Sequence, residues 1–496
     1  LINNSEYTIN KIFKWIFAPL ETMNNIRRIA VNTLSLSISE IVVKIAQFFI
    51  FVFVARQLGN VIFGRFSFAY SFSVIAIVFV DIGINYMLVR EISRKKELLN
   101  KFIGNSFVIK TVLGIIVFIL TNIILNSLNY PAETRILAYL LLLYMFLRSN
   151  TELLFSIFKA FEKMHYEALI RSLGLVSILI FGLMSLVFLK DIIFLAIAFV
   201  IVQLLVFLVT FALVIIKFKG FSLEFDLKFI KKIIMLSSPF TLSLIFAAIY
   251  FHIDNVMLSL MKGDIPVGIY SAAYNITLAL LFIPSMYTFA IYPILSRDYE
   301  KQKKKVAFIY ERSFKYLYIL GLPISVGLYI IAQNIIFFIY GQDYSSSIIA
   351  LKILAGFLLF KFVGFLTGIL LSSINKQKFR MYGQGIAALS NLVLNFVLIP
   401  RYSFVGAGIA TLASEIILFA ITFFFVSKHF HIFNVFKILY KPLISAAIMA
   451  LVIIFLDINI FLLIIIGGII YFIVLYLLKA FDERDYQLMG SLARFR

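Results

Sequence analysis

The side chains best placed for chemistry in this chain are charges that stand inside long apolar runs: Glu40, Lys44, Asp81, Lys110, Arg148, Glu152, Asp254, Lys361 and Glu415. A charge at bilayer depth costs about 2.5–3.5 kcal/mol on insertion scales, so each needs a partner or a function. Glu40 with Lys44, and Arg148 with Glu152, are spaced i,i+4 and share a helical face. These pairs either neutralise each other against a neighbouring helix or face a water-filled cavity. In the cavity reading, Lys44, Lys110, Arg148 and Lys361 form a cationic lining suited to an anionic headgroup such as a pyrophosphate. Glu40, Asp81, Glu152, Asp254 and Glu415 are then the carboxylates available to carry a coupling proton or sodium ion.

Other chemistries lack their residues. There is no Cys, which removes disulfides, thiolate catalysis and Cys-based metal sites. His252 lies two residues from Asp254 and so on a different helical face, and His165, His429 and His431 fall in the base-rich loops, where solvated side chains are expected. No metal-ligand cluster, nucleophile constellation or phosphate-binding Gly-rich loop is present, so no enzyme activity, metal or cofactor is expected. The 45 Lys+Arg against 24 Asp+Glu do not indicate nucleic acid, because the bases sit in short loops between apolar runs.

The elements that position these charges are membrane helices. The chain is 62% hydrophobic, 14% charged and has a mean hydropathy of +1.04. With about 20 residues per crossing, spans are expected at about 29–54, 66–89, 102–125, 135–157, 168–189, 192–216, 233–261, 268–294, 313–339, 349–373, 381–399, 405–426, 438–456 and 460–479. The division within 168–216 rests only on Lys190-Asp191. Bases crowd every second loop, as in Arg90–Lys101, Lys217–Lys232 and Arg297–Arg312, which places both termini in the cytosol of a multi-pass plasma-membrane protein.

Gly59-Asn60-Val61-Ile62-Phe63-Gly64-Arg65-Phe66-Ser67-Phe68-Ala69-Tyr70 aligns without a gap on Gly263-Asp264-Ile265-Pro266-Val267-Gly268-Ile269-Tyr270-Ser271-Ala272-Ala273-Tyr274. A repeated loop between repeated apolar runs marks a duplicated unit, with Gly59, Gly64, Gly263 and Gly268 as its hinge and packing glycines. The resulting expectation is an all-α polytopic protein of about fourteen transmembrane helices, in two pseudo-symmetric lobes of about six helices plus two C-terminal helices. The divisions are an interfacial segment over 1–28 anchored by Trp15, an N-lobe over 29–216, a cytosolic linker over 217–232, a C-lobe over 233–426, a last helix pair over 427–479 and a cytosolic tail over 480–496. The linker pattern KFKGFSLEFDLKFIKK predicts an amphipathic helix. Pro239, Pro284 and Pro323 predict kinks.

Several of these pieces, in order, resemble a known family. They include Ala55-Arg56-Gln57-Leu58-Gly59, Phe63-Gly64-Arg65-Phe66-Ser67, Asp81-Ile82-Gly83-Ile84 and Arg90-Glu91-Ile92 in the first half. Pro239-Phe240, Ile253-Asp254-Asn255-Val256-Met257-Leu258, Tyr292-Pro293, Asn391-Leu392-Val393-Leu394-Asn395 and Gly406-Ala407-Gly408-Ile409-Ala410 follow in the second. Through almost its whole length the chain resembles the Wzx-like oligosaccharide-lipid flippases of the MOP superfamily. The resemblance implies two lobes around a central cavity, alternating access, and movement of a polyprenyl-(pyro)phosphate-linked oligosaccharide to the outer leaflet. It implies partners among membrane lipids, glycosyltransferases and a polysaccharide polymerase, and it singles out no catalytic residue. A drug/cation antiporter of the same superfamily and a peptidoglycan-precursor flippase stay as alternatives. The antiporter predicts a cavity dominated by unpaired carboxylates.

Overall fold

A computed structural model describes the backbone of residues 25–218, 221–483 and 485, and side chains from residue 43 on, that of Leu227 excepted. The interfacial segment expected around Trp15, the Glu40 side chain and most of the tail lie outside the described residues.

Helix formation follows the apolar runs. The helices are α1 (Asn25–Asp81), α2 (Ile84–Arg94), α3 (Leu99–Ser127), α4 (Ala132–Ala160), α5 (Met164–Leu189), α6 (Ile192–Lys217), α7 (Leu227–Lys262), α8 (Asp264–Leu280), α9 (Phe282–Asp298), α10 (Lys303–Ile330), α11 (Ala332–Ile339), α12 (Ser347–Ser373), α13 (Gln377–His429), α14 (Val435–Ile454) and α15 (Ile460–Leu477). Twelve stretches among the described residues are long and apolar enough to cross a membrane, and two of them run to 52 and 53 residues, about twice what one crossing needs. The first, Val43–Arg94, breaks in α1 at Gly59, with φ 75, and again at Ile82-Gly83 before α2, and the second, α13, breaks at Ser403, with φ 52. Counting both arms of each restores the fourteen-pass arrangement, with all helices and no strand among the described residues. Lys190, in the left-handed region, and the Asp191 cap on the Ile193 amide make the hairpin that separates α5 from α6.

The linker corrects one expectation. It is not helical over 221–226 but runs extended across the start of α3. Gly104 permits this, since a Cβ there would lie 2.3 Å from the Glu224 carbonyl oxygen. Asn105 donates to that carbonyl at 3.2 Å and accepts from the Asp226 amide at 2.9 Å, so the backbone bonds that a helix would have supplied go to side chains of α3. Asp226 then caps α7 by accepting from the Lys228 amide. The histidines correct another: His165 is buried in the first turn of α5 against Tyr166, with ring centroids 4.3 Å apart, and His429 ends α13 with Nδ1 on the Phe425 carbonyl.

Packing is uneven along the membrane axis. At the base-poor end, one apolar core mixes both halves: Phe51, Phe63 and Phe66 pack in the same cluster as Tyr270, Tyr344, Leu354 and Ala407. At the base-rich end there are two cores, the first of which also takes in Ile233 at the start of α7. One gathers Ile84, Leu88, Phe102, Leu154 and Phe158, while another gathers Leu295, Tyr310, Phe314, Leu366 and Tyr471. The lobes are therefore fused broadly at the base-poor end, whereas at the other end the first turns of α7 carry the packing between them.

The duplicated loops form that fused end. A Cβ on Gly64 would stand 1.9 Å from the Asp264 carbonyl oxygen, and one on Gly268 would stand 2.1 Å from the Asn60 carbonyl oxygen. Asn60 and Asp264 are equivalent positions of the repeat, so the contact is reciprocal, as a pseudo-two-fold axis between the lobes requires. Arg65 ties the seam with bonds to Asp264, at 2.9 Å, and Glu133. Gly59 and Gly263 start the two loops at φ 75 and 81, where glycine carries no Cβ penalty.

Candidate functional site

The two halves of the molecule handle their buried charges differently. In the N-lobe, α1 ends at Asp81 because Ile82 and Gly83 turn left-handed, at φ 32 and 75. This break faces the Pro239 kink of α7: a Cβ on Gly83 would lie 2.7 Å from the Cβ of Phe240, and Thr241 Oγ1 donates to the Ile82 carbonyl at 2.7 Å. Pro239 has no amide to offer the Met235 carbonyl, and the Ser238 hydroxyl takes its place at 3.0 Å.

The freed end of α1 presents Asp81 to Lys110 of α3. Lys110 is fully buried, and its Nζ donates to Asp81 Oδ1 at 2.6 Å, to Asn85 Oδ1 at 3.0 Å and to the Ser149 carbonyl and hydroxyl, both at 2.8 Å. An ammonium has three hydrogens, so all of its donors are engaged. One residue along α4, Arg148 contacts the Tyr70 hydroxyl, which also receives the Gln47 amide at 2.9 Å. Lys44 precedes Gln47 by three residues on the same face of α1. Glu152 does not depend on its helix neighbour alone: Arg171 of α5 binds it at 2.7 Å and Lys159 approaches to 3.7 Å, while both also reach buried Glu167, at 2.6 and 3.0 Å.

Between this network and α7 lies a cavity of about 750 Å³ at the base-rich end, lined by residues that include Asp81, Tyr86, Arg90, Glu152, Lys159, Arg171 and Phe240. Its carboxylates, Asp81 and Glu152, are both held by cations. Its aromatic wall is layered, with Tyr86 stacked on Phe240 at 6.1 Å and the Arg90 guanidinium 5.4 Å from the Phe240 ring.

The C-lobe has two further charged centres. Lys361 of α12 binds Glu415 of α13 at 2.8 Å, and the Tyr250 hydroxyl donates to the same carboxylate oxygen. Lys361 Nζ also lies within 4.6–5.9 Å of the ring centroids of Tyr250, Phe251, Phe357 and Phe365. A cavity of about 120 Å³ beside the pair is also lined by Arg380, Gln384 and Thr422. Glu415 Oε1 is buried without a hydrogen-bond partner among the described residues. Closer to the seam, Asp254 is 1% exposed and among the described residues its hydrogen-bond partners are neutral: Tyr270 at 2.6 Å, Thr411 at 2.7 Å and Asn395 at 2.6 Å, with Asn391 behind.

The structure thus brings Lys110 and Arg148 into the N-lobe interior, leaves Lys44 half-buried on α1, and places Lys361 separately in the C-lobe. Glu40 lies outside the described side chains.

A family model described as "Polysaccharide biosynthesis protein" matches residues 29–299. The chain belongs to that family. A MatE model also matches residues 239–397. Among solved structures, the chain is similar to the lipid II flippase MurJ in an inward closed conformation, at 20% identity and TM-score 0.74, over 89% of this chain and 98% of that one. It is similar to an outward-facing multidrug resistance MATE transporter, at 16% identity and TM-score 0.58, over 82% and 96%. A MOP-superfamily transporter from Pyrococcus furiosus gives 16% and 0.56, over 80% and 95%. No curated protein sequence matches. The fold is that of these solved structures, and this member of the polysaccharide biosynthesis protein family is a multi-pass membrane protein.

Three parts of the family member's site escape a reading by burial cost. Arg171 and Lys159 look like loop bases, yet they complete the N-lobe network. Arg380 looks like a helix-start base, yet it lines the C-lobe cavity. Tyr270, Thr411 and Asn395 around Asp254 are uncharged, and only the i,i+4 spacing of Asn391 and Asn395 hints at a shared face.

Proposed function

We propose that this transporter moves a polyprenyl-(pyro)phosphate-linked oligosaccharide across the plasma membrane by alternating access, with its termini in the cytosol, in the assembly of a cell-surface glycan. The observation that carries this reading is the composition of the 750 Å³ cavity: both carboxylates on its wall, Asp81 and Glu152, are bound to cations, while Arg90, Lys159 and Arg171, themselves ion-paired with Glu91, Glu152 and Glu167, make cations the more numerous charge on that wall. Such a wall favours an anionic headgroup, and the Tyr86–Phe240 stack offers flat apolar surface to sugar rings. It disfavours the cationic cargo of a drug antiporter, which needs unpaired carboxylates. Lys44 and Arg148 extend the cationic path into the N-lobe, and Lys361 answers them from the C-lobe. The partners of this reading are glycosyltransferases and a polymerase that supply and consume the lipid-linked glycan.

The test is headgroup translocation in reconstituted vesicles with Lys44→Met, Lys110→Met, Arg148→Met and Lys361→Met made singly. At least one loses about tenfold or more of its rate, corresponding to about 1.4 kcal/mol of lost headgroup interaction. Undiminished flipping in all four variants, each shown to be monodisperse, would sink the cationic-path reading.

Asp254 is the carboxylate we assign to ion coupling. It is buried without a cationic partner among the described residues, and its neighbours Tyr270, Thr411 and Asn395 can rotate hydroxyl or amide oxygens toward a proton or sodium ion. Asp254→Asn should leave flipping down a substrate gradient intact and abolish its acceleration by an imposed proton or sodium gradient. Unchanged acceleration by both gradients removes Asp254 from coupling.

A further inference from the structure

A second basic site lies away from the central cavity, where α10, α14 and the start of the tail meet at the base-rich end. It is a pocket of about 190 Å³ whose cations are Arg312, Lys315, Lys437 and Lys441. The tail has already used two of them. Asp485, fully buried, accepts from Arg312 at 2.7 Å, Lys315 at 2.5 Å and the Tyr316 hydroxyl at 2.6 Å, and Asp482 binds Arg312 from the other side. The remaining acid on the wall, Glu311, stands 3.8 Å from His431.

Lys437 and Lys441 are different. They are one turn apart on α14, and neither has a carboxylate within 4.0 Å among the described residues; Lys441 donates only to the Lys479 carbonyl, at 2.7 Å. On the neighbouring face of the same helix, Phe436, Tyr440, Leu443 and Ile444 are 74%, 38%, 46% and 44% exposed. Two ammonium groups in a pocket thus sit at the end of a membrane helix, beside a strip of apolar side chains that runs on into the hydrocarbon region. A tyrosine and lysines at the first turns of a span put this level at the headgroup layer.

We propose that this pocket binds the phosphodiester headgroup of an anionic membrane phospholipid. Lys437 and Lys441 would hold the phosphate by charge-assisted hydrogen bonds, and an acyl chain would lie along Phe436, Tyr440 and Leu443. The bound lipid ties the last helix pair to α10 at the point where Asp482 and Asp485 anchor the tail. This site is independent of the cargo and holds whether or not the flippase reading does.

The experiment is native mass spectrometry of the full chain titrated with phosphatidylglycerol or phosphatidylcholine. The wild-type chain retains phosphatidylglycerol at least about tenfold more tightly than phosphatidylcholine. Lys437→Gln with Lys441→Gln keeps amide donors, including one for the Lys479 carbonyl, and removes both charges. The double variant loses that preference, while Lys231→Gln with Lys232→Gln, at exposed lysines elsewhere on the base-rich end, keeps it. Equal retention of phosphatidylglycerol by wild type and the Lys437/Lys441 variant overturns the proposal. Displacement of the lipid by equimolar inorganic phosphate also overturns it, since the pocket would then be a free-anion site. Preferential binding of a polyprenyl phosphate through the same lysines overturns it too, by making the pocket part of the cargo path.

Discussion

Gly64→Val and Gly268→Val each separate the lobes at the base-poor end and cut flipping at least about tenfold. The geometry leaves no softer outcome. The added Cβ at residue 64 would fall 1.9 Å from a carbonyl oxygen, and at residue 268 it would fall 2.1 Å from one. Both obstacles are backbone, in Asp264 and Asn60, so no rotamer change relieves them and the helices must move apart by more than an ångström. Overpacking in a close-packed core costs about 1–3 kcal/mol when side chains can yield, and more when they cannot. A shift of about 3 kcal/mol changes the ratio of two conformers by about a hundredfold, enough to depopulate the state with this seam closed. The absence of native cysteine makes the measurement clean. Spin labels on Gln57→Cys and Lys262→Cys, both exposed at the seam, should report a longer and broader distance distribution in either glycine variant. An unchanged distance in a folded Gly64→Val protein would show that the seam is not the closed gate. Because the contact is reciprocal, the two variants should also resemble each other in distance and in rate.

That reciprocity shows what a sequence can and cannot say about such a fold. The repeat was visible as an alignment of Gly59–Tyr70 on Gly263–Tyr274, and the alternating base-rich loops fixed how many passes separate the copies. The span pattern was legible because a bilayer demands about 20 apolar residues at each crossing, a strong and local constraint. That the two copies touch each other is a fact of tertiary geometry, and no periodicity reports it. The linker was misread for a related reason. The alternation in Phe221–Asp226 suits an amphipathic helix end as well as an extended strap, and the deciding partner, Gly104 with Asn105, lies about 120 residues away.

Burial cost flagged the charged residues one by one, and it could not reveal their grouping. Lys110 and Asp81 come from different helices, as do Lys361 and Glu415, so helical spacing within a run gave no sign of either pair. For Arg148 and Glu152 the spacing was visible, but Arg171 and Lys159, from a part of the chain rich in loop-like bases, supply most of the closure around Glu152. His165 was expected in solvent because it falls in a base-rich stretch, whereas the first turn of α5 buries it against Tyr166.

Lys361 and Glu415 pose the sharpest question, because the same 2.8 Å contact fits a structural lock and a functional switch. Removing one partner leaves a buried, uncompensated charge. Lys361→Met strands Glu415, 1% exposed with Oε1 already lacking a partner, on the Tyr250 hydroxyl alone. Glu415→Met strands an ammonium among four aromatic rings. Each single change should cost about 3–5 kcal/mol, the usual penalty for breaking a buried pair. The double change Lys361→Met with Glu415→Met removes both charges and fills similar volume, so its stability should return to within about 1 kcal/mol of the parent. Thermal unfolding in a fixed lipid–detergent mixture measures this cycle. Transport decides the role. A lock requires only packing, so the double variant would flip at the parental rate once stability is restored. If the pair opens to release Lys361 toward an anionic cargo or to protonate Glu415, the double variant will be stable and inactive. We expect the second outcome, because the pair borders a cavity that Arg380 also lines, and a purely structural charge pair has no need of an adjoining space. Parental transport in a stable double variant would assign Lys361 and Glu415 to architecture and confine the headgroup path to the N-lobe cations.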